Sequence, residues 1–180
     1  LIHIGGDCLT VYPYNSRRLA VALSDVSGHG VSAALTASLI HNQIQFRLAE
    51  NQPPAQVIDW LNRFILQNIR RANMFITMVL ALIDLDEGIL TACNAGHPDL
   101  LIWHGRTNTL ESIASHTPPI GMLPEILGAR NVTTLELAHD DRLLFYSDGF
   151  TDSHGPAGDM LGIQGMKEWA VIPWIPSMSP

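Results

Sequence analysis

Along the chain the apolar positions change from a period of two to a helical period and back again. Leu1–Tyr12 and Arg18–Leu23 read as strands rich in apolar and β-branched residues, with Pro13-Tyr14-Asn15-Ser16-Arg17 as the hairpin loop between them. Asp25-Val26-Ser27-Gly28-His29-Gly30 follows as a tight turn, because two glycines within three residues disrupt either periodicity. Two helices are then predicted. Over 31–49 the apolar residues fall in rows four apart, Val31, Leu35, Leu39 and Ile40, Ile44, Leu48. Over 54–72 the stripe Val57, Trp60, Leu61, Phe64, Ile65, Ile69 covers one helix face, and Pro53-Pro54 suits a first turn, where a missing N–H leaves no bond unmade.

After Asn73 the pattern returns to strands. Phe75–Asp84 is a mostly apolar run, Asp86-Glu87-Gly88 a turn, and Ile89–Asn94 its hairpin partner. Leu100–Trp103 and a short strand near Leu110 form another hairpin, and Val132–Leu137 and Arg142–Tyr146 complete the series. The stretch 157–180 shows no periodicity and reads as a surface segment. Strands, two adjacent helices and then many strands form separate blocks. That order argues for an α+β fold with largely antiparallel sheets, two packed sheets flanked by helices, and against alternating βαβ units.

Length and charge narrow the classes. The 180 residues suit one domain, and 47% apolar with 15% charged residues is the composition of a folded chain. The first residue is Leu1, and its apolar opening runs straight into Gly5-Gly6-Asp7, which reads as a piece cut from a longer protein at both ends. Ten basic against seventeen acidic residues give a net charge of −7, with no basic cluster beyond Arg17-Arg18 and Arg70-Arg71, a poor match to a nucleic-acid binder. No apolar run approaches the ~20 residues that cross a bilayer, and no signal sequence opens the chain. Cys8 and Cys93 stand far apart in no metal spacing and read as small core residues in a reducing cytoplasm.

Three aspartates carry the candidate chemistry. Asp7 follows Gly5-Gly6, Asp25 opens the glycine turn, and Asp148 lies in Ser147-Asp148-Gly149 at the exit of the apolar strand Leu143-Leu144-Phe145-Tyr146. Each one alone is also ordinary turn chemistry. If they converge, their repulsion must be offset, and hard divalent cations with oxygen ligands do this best. The eight histidines show no zinc spacing. A paired Mg²⁺ or Mn²⁺ site held by carboxylates and water suits phosphoester hydrolysis. There is no phosphate-binding Gly-x4-Gly-Lys loop, no dinucleotide fingerprint, and no glycine at Asp25 to make Ser27 a nucleophile elbow.

Five segments in order carry a resemblance: Gly5-Gly6-Asp7, Ser24-Asp25-Val26-Ser27-Gly28-His29-Gly30, Asn94-Ala95-Gly96-His97-Pro98, Pro119-Ile120-Gly121-Met122-Leu123 and Tyr146-Ser147-Asp148-Gly149-Phe150-Thr151-Asp152. Together they resemble the bacterial SpoIIE-like (sporulation-type) branch of the PPM metal-dependent serine/threonine protein phosphatases, relatives of protein phosphatase 2C. The likeness runs from about Ile4 to Gly162. It implies an αββα sandwich and hydrolysis of phosphoserine or phosphothreonine by water activated between two Mn²⁺ or Mg²⁺ ions. By position, Asp25 would bridge the two metals, Val26 would offer its backbone carbonyl, Asp148 would ligate from the far sheet and Asp7 from the first strand. Asp25 and Asp148 would thus be the catalytic residues. Asn94 and His97 lie on a bend near the cleft, either binding substrate or hydrogen-bonding within the turn.

The resemblance further implies an output domain of a cytoplasmic signalling protein. A receiver or sensor domain would precede it, as in a two-component response regulator, and a phosphorylated anti-sigma-factor antagonist would be its substrate. By adjacency alone, since one of them starts at Gly30 beside Asp25, the helices at 31–49 and 54–72 are candidates for the element that moves when such a sensor signals to the site. One departure stands out. The family's further Asp, in an Asp-Asp-x-Thr stretch before a last strand, has no counterpart, since no aspartate follows Asp159. Truncation leaves an active parent enzyme, whereas true loss would make the domain a pseudophosphatase adaptor that holds a regulatory partner. The apolar helix faces can equally be buried within the domain or form a homodimer.

Overall fold

The computed structural model describes residues 5–69, 74–126, 131–155 and 158–171. The chain forms β1 (Cys8–Pro13), β2 (Arg18–Val26), α1 (Val31–Ala49), α2 (Pro54–Asn68), β3 (Ile76–Asp84), β4 (Ile89–Ala95), β5 (Leu100–His104), β6 (Thr109–Ile113), β7 (Val132–Glu136), β8 (Arg142–Leu144), α3 (Asp148–Thr151) and α4 (Gly162–Ala170). One sheet runs β1-β2-β3-β4-β7 and the other β6-β5-β8, and the paired strands in both are antiparallel.

Strand periodicity sets four layers. In β2 and β3 the even-numbered residues Ala20, Ala22, Val26, Ile76, Met78 and Leu80 turn toward α1 and α2, where Ile40, Ile44, Leu48, Val57, Leu61 and Ile65 cover them. The odd-numbered row, Leu19, Val21, Leu23, Val79, Ala81 and Ile83, turns the other way and packs on Leu100, Ile102 and Ile113 of the smaller sheet. Behind that sheet Leu101 and Tyr146 are covered by Met166 of α4. The expected αββα sandwich is the observed one. No helix among the described residues is long and apolar enough to cross a membrane.

Several sequence-based expectations shift in detail. The strand expected from Leu1 begins at Cys8, and its first four residues lie outside the described ones. β2 does not stop at Leu23: Asp25 and Val26 still pair with Thr77 and Ile76, so the turn occupies only 27–30. α2 ends at Asn68, where Ile69 leaves helical geometry, and 70–73 lie outside the described residues. Of the two apolar rows of α1, Ile40, Ile44 and Leu48 are buried, while Val31 and Leu35 are 65% and 67% exposed. The stretch expected to be aperiodic surface contains α4, with Met166 buried.

One buried amide fastens the loop at 119–123 under the sheet. Where β4 turns away from β3, Ile120 takes its place, exchanging backbone hydrogen bonds with Ile76 at 2.9 and 2.8 Å. From α2, Asn62 Oδ1 accepts the Gly121 N–H at 2.7 Å and Asn62 Nδ2 donates to the Leu123 carbonyl at 3.0 Å. Gly121 has φ +88°, and a Cβ there would stand 2.8 Å from Ile65 Cγ2. Asn62→Ala strands a buried donor and an acceptor, so the urea midpoint should fall by the equivalent of about 2 kcal/mol with an unchanged slope.

Candidate metal centre

The row of β2 that packs between the sheets, Leu19, Val21 and Leu23, ends in Asp25. The next residue of an apolar row is thus a carboxylate, half-buried where the intersheet core runs out. Because Cys8 pairs with Ser24, Asp7 falls beside Asp25 one step beyond the paired segment. From the opposite sheet, β8 continues through Phe145 and Tyr146, both packed on core, and releases Asp148 as the first residue of α3. Ser147 Oγ donates to Asp7 Oδ2 at 2.9 Å, which ties the two sheets together at this rim.

The backbone around Asp25 is crowded. The Val26 N–H donates to the Gly6 carbonyl at 3.3 Å, and Ser27 and Phe75 bond twice, the Ser27 N–H to the Phe75 carbonyl at 3.0 Å and the Phe75 N–H to Ser27 Oγ at 2.9 Å. A Cβ on residue 6 would overlap the Val26 carbonyl oxygen and lie 2.9 Å from Asp25 Oδ1. These two oxygens therefore converge on a space that only glycine leaves open. Gly28 and Gly30, at φ +98° and +81°, bring the chain round from Asp25 into α1 in a conformation that L side chains avoid.

Electrostatics register the convergence. The Asp25 carboxyl is pushed up to about 6, first by burial and then by the negative charges of Asp7 and Asp148, against a lowering hydrogen bond from the Val26 backbone. His97, deep in the same region, moves the other way. Burial holds its imidazole down at about 4, although the Tyr146 backbone, Asp7 and Asp148 all pull it up. The ring is neutral at physiological pH, with Nδ1 bonded to Thr77 Oγ1 at 2.9 Å. Thr77 pairs directly with Asp25 across β2 and β3, so both side chains share one face.

The structure brings Asp7, Asp25, the Val26 carbonyl and Asp148 to one rim, with His97 beneath. Asn94 is different. It is 2% exposed, its Nδ2 donates to the carbonyls of Pro98 and Ile113, and its Oδ1 accepts the His97 N–H at 3.0 Å. Its amide is committed to the bend. Two further residues of the site carry little signal in the sequence. Ser147 stands inside the motif around Asp148 without a role of its own, and Thr77 is the sole hydroxyl in the apolar run 75–83.

Three carboxylates and a carbonyl form an all-oxygen donor set, which fits a hard divalent cation such as Mg²⁺ or Mn²⁺ and not a soft one. Among the described residues no three acidic, imidazole or thiol side chains stand close enough together to hold a metal ion by themselves. Burial raises both thiols, Cys93 to about 11, and neither joins the site.

Comparison with known proteins supplies relatives for this geometry. The family described as stage II sporulation protein E (SpoIIE) matches residues 15–176. The phosphoserine phosphatase RsbP of Bacillus subtilis is 30% identical over 152 residues, covering 83% of this chain and 37% of that protein. The SiaA-PP2C domain of Pseudomonas aeruginosa superposes with a TM-score of 0.80 at 18% identity, over 93% of this chain and 66% of that one. The PP2C phosphatase domain of SpoIIE from Bacillus subtilis gives 0.78 at 22% identity, over 96% and 49%. The chain spans about a third of the length of the curated relatives it matches.

A raised carboxyl is a stability statement. Between pH ~4 and ~6 the folded state holds a proton at Asp25 that the unfolded chain releases, so that contribution is present below pH ~4 and lost as pH rises through about 6. In the metal-free protein, Asp25→Asn should therefore raise stability at pH 7.5, on the order of 1 kcal/mol after solvent screening, and the gain should vanish near pH 4. Thermal melts in chelator across that pH range read the difference.

Proposed function

The chain belongs to the SpoIIE family, and from that membership we propose that it is a metal-dependent phosphoserine/phosphothreonine protein phosphatase domain. The observation that carries the reading is the convergence of Asp7, Asp25 and Asp148 from both sheets: burial first, and then the charges of Asp7 and Asp148, lift the Asp25 carboxyl to about 6 and leave negative charge for a cation to neutralise. Asp25 and the Val26 carbonyl would hold two Mn²⁺ or Mg²⁺ ions from β2, Asp7 from the approach to β1 and Asp148 from the exit of β8. When bound, such ions lower the pKa of water and neutralise charge on a phosphoryl group.

The residues of the chain do the rest. Asp25, half-buried and held by the Val26 backbone, fixes the position of its carboxylate against the sheet. Ser147 orients Asp7 by its hydrogen bond, so that the two sheets present their carboxylates at a constant separation. Asn94 and His97 serve the substrate side, Asn94 through the bend that it holds and His97 through its ring. The domain is the output end of a longer cytoplasmic signalling protein, with a sensor or receiver domain before it and a phosphorylated anti-sigma-factor antagonist as substrate. The exposed row Val31 and Leu35, on the helix that starts beside Asp25, offers that sensor a surface.

Hydrolysis of a phosphoserine peptide, with and without Mn²⁺, tests the reading. Turnover should require the metal, and Asp25→Asn should reduce it by about 10²-fold or more. A longer version continuing past Pro180 should be at least as active. Metal-independent turnover would overturn the metal requirement, and no turnover with no Mn²⁺ binding in either version would replace the enzyme by an adaptor.

A further inference from the structure

One imidazole of the smaller sheet lies between two carboxylates. It stands at the end away from the metal rim, since β8 runs from Arg142 beside it toward Asp148. His104 closes β5, with Nδ1 3.0 Å from Asp141 Oδ2 and Nε2 3.0 Å from Glu111 Oε2. Ladder register explains the meeting. Glu111 of β6 pairs with Ile102 and so shares a face with His104, two residues on, while Asp141 directly precedes the residue of β8 that pairs with Trp103. Gly105 lets the turns approach, because a Cβ there would stand 2.6 Å from the Asp140 carbonyl oxygen.

The two distances decide the protonation state. An ionised carboxylate only accepts, and a neutral imidazole has a single N–H, so short bonds to two carboxylates require hydrogen on both nitrogens. Hydrogen bonds to Glu111 and Asp141 accordingly raise the His104 pKa above the ordinary 6.5, against a lowering by burial. These two are the charged groups that act on the ring. Arg142 pairs with Trp103 and belongs to the other face, and His139 and Asp140 bond to each other at 3.1 Å. The two partners are unequal. The Asp141 side chain is 3% exposed and its Oδ2 also accepts the Ala138 N–H at 3.0 Å, whereas the Glu111 side chain is 46% exposed. Loss of one proton turns a nitrogen lone pair on a carboxylate oxygen. Glu111 is the partner free to swing into water, so the remaining N–H stays with Asp141.

We infer that His104, Glu111 and Asp141 form a proton-operated clip across the smaller sheet, which ties the edge strand β6 to β5 while the ring is charged and releases it when the ring turns neutral. The charged ring also holds β5 to the turn before β8, and that bond survives deprotonation. A histidine raised in the folded state stabilises fully below pH ~6.5, and its contribution is lost as the pH rises through the folded-state value. The clip thus closes toward acid and opens toward alkali. It stands apart from the metal rim and operates whether or not the domain hydrolyses phosphoserine.

Two measurements test it. In the ¹⁵N-labelled protein, long-range ¹H–¹⁵N correlation should show hydrogen on both His104 nitrogens at pH ~6 and a titration midpoint above 6.5, the signals assigned by their loss in His104→Gln. Glu111→Gln, at an exposed position, should lower that midpoint, and Asp141→Asn should lower it as well. If His104→Gln does not fold, the histidine whose midpoint moves in Glu111→Gln supplies the assignment. Hydrogen-exchange protection of the β6 amides, taken against the intrinsic rate at each pH, should fall about threefold or more between pH ~6.5 and ~8.5 in the wild type and stay level in Glu111→Gln. A His104 midpoint at or below 6.5, or no midpoint that moves in Glu111→Gln, overturns the clip. A raised midpoint with β6 protection that ignores pH overturns the release of the edge strand.

Discussion

Three carboxylates that repel one another are held together at one rim of the sandwich, and much of the fold can be understood as what holds them there. Asp25 ends an apolar row between the sheets, Asp7 comes in from the edge strand, and Asp148 arrives from the opposite sheet. No basic side chain is among the groups that shift Asp25, and burial together with the charges of Asp7 and Asp148 raises its carboxyl to about 6. Local destabilisation of this kind is characteristic of sites that await a ligand of opposite charge.

The surrounding structure resists that repulsion with backbone. Gly6 lets the approach to β1 press on the Val26 carbonyl, and Gly28 and Gly30 turn the chain within four residues from the site into α1. Ser147 supplies a hydrogen bond between the two halves of the rim. Farther out, Asn62 pins the loop at 119–123 to α2 and Ile120 bonds that loop to Ile76 at the start of β3, so that α2, this loop and the strand pair carrying Asp25 and Thr77 are joined by buried bonds. The helices thus cover the core and also brace the strand ends that carry the chemistry.

Much of this was legible in the residue pattern, and what was not has physical reasons. The limits of α1, the block order of strands and helices and the three aspartates at strand–turn junctions all follow from local periodicity and turn chemistry. The choice between the two apolar rows of α1 does not, because either row makes an equally good helix face. Only packing on Ala20 and Ala22 selects Ile40, Ile44 and Leu48. Helix α4, with Gly162 and Gly165 in nine residues, has little intrinsic propensity and exists through Met166 packing on Leu101 and Tyr146. β7 and β8, neighbours in sequence, pair in different sheets with β4 and β5, which no local signal foretells. Thr77 was hidden because one hydroxyl in an apolar strand gains meaning only from its partners, Asp25 across the ladder and His97 beneath it.

If the carboxylates are gathered to hold divalent cations, the cations must stabilise the fold through Asp25. The direct measurement is the melting temperature against Mn²⁺ concentration, for the wild-type protein and for Asp25→Asn. At about a hundredfold excess over the dissociation constant the wild type should gain about 2.7 kcal/mol, a rise of roughly 5–10 °C, while Asp25→Asn should rise little or not at all. A wild type that Mn²⁺ leaves unmoved, or a variant that gains as much as the wild type, would contradict the account.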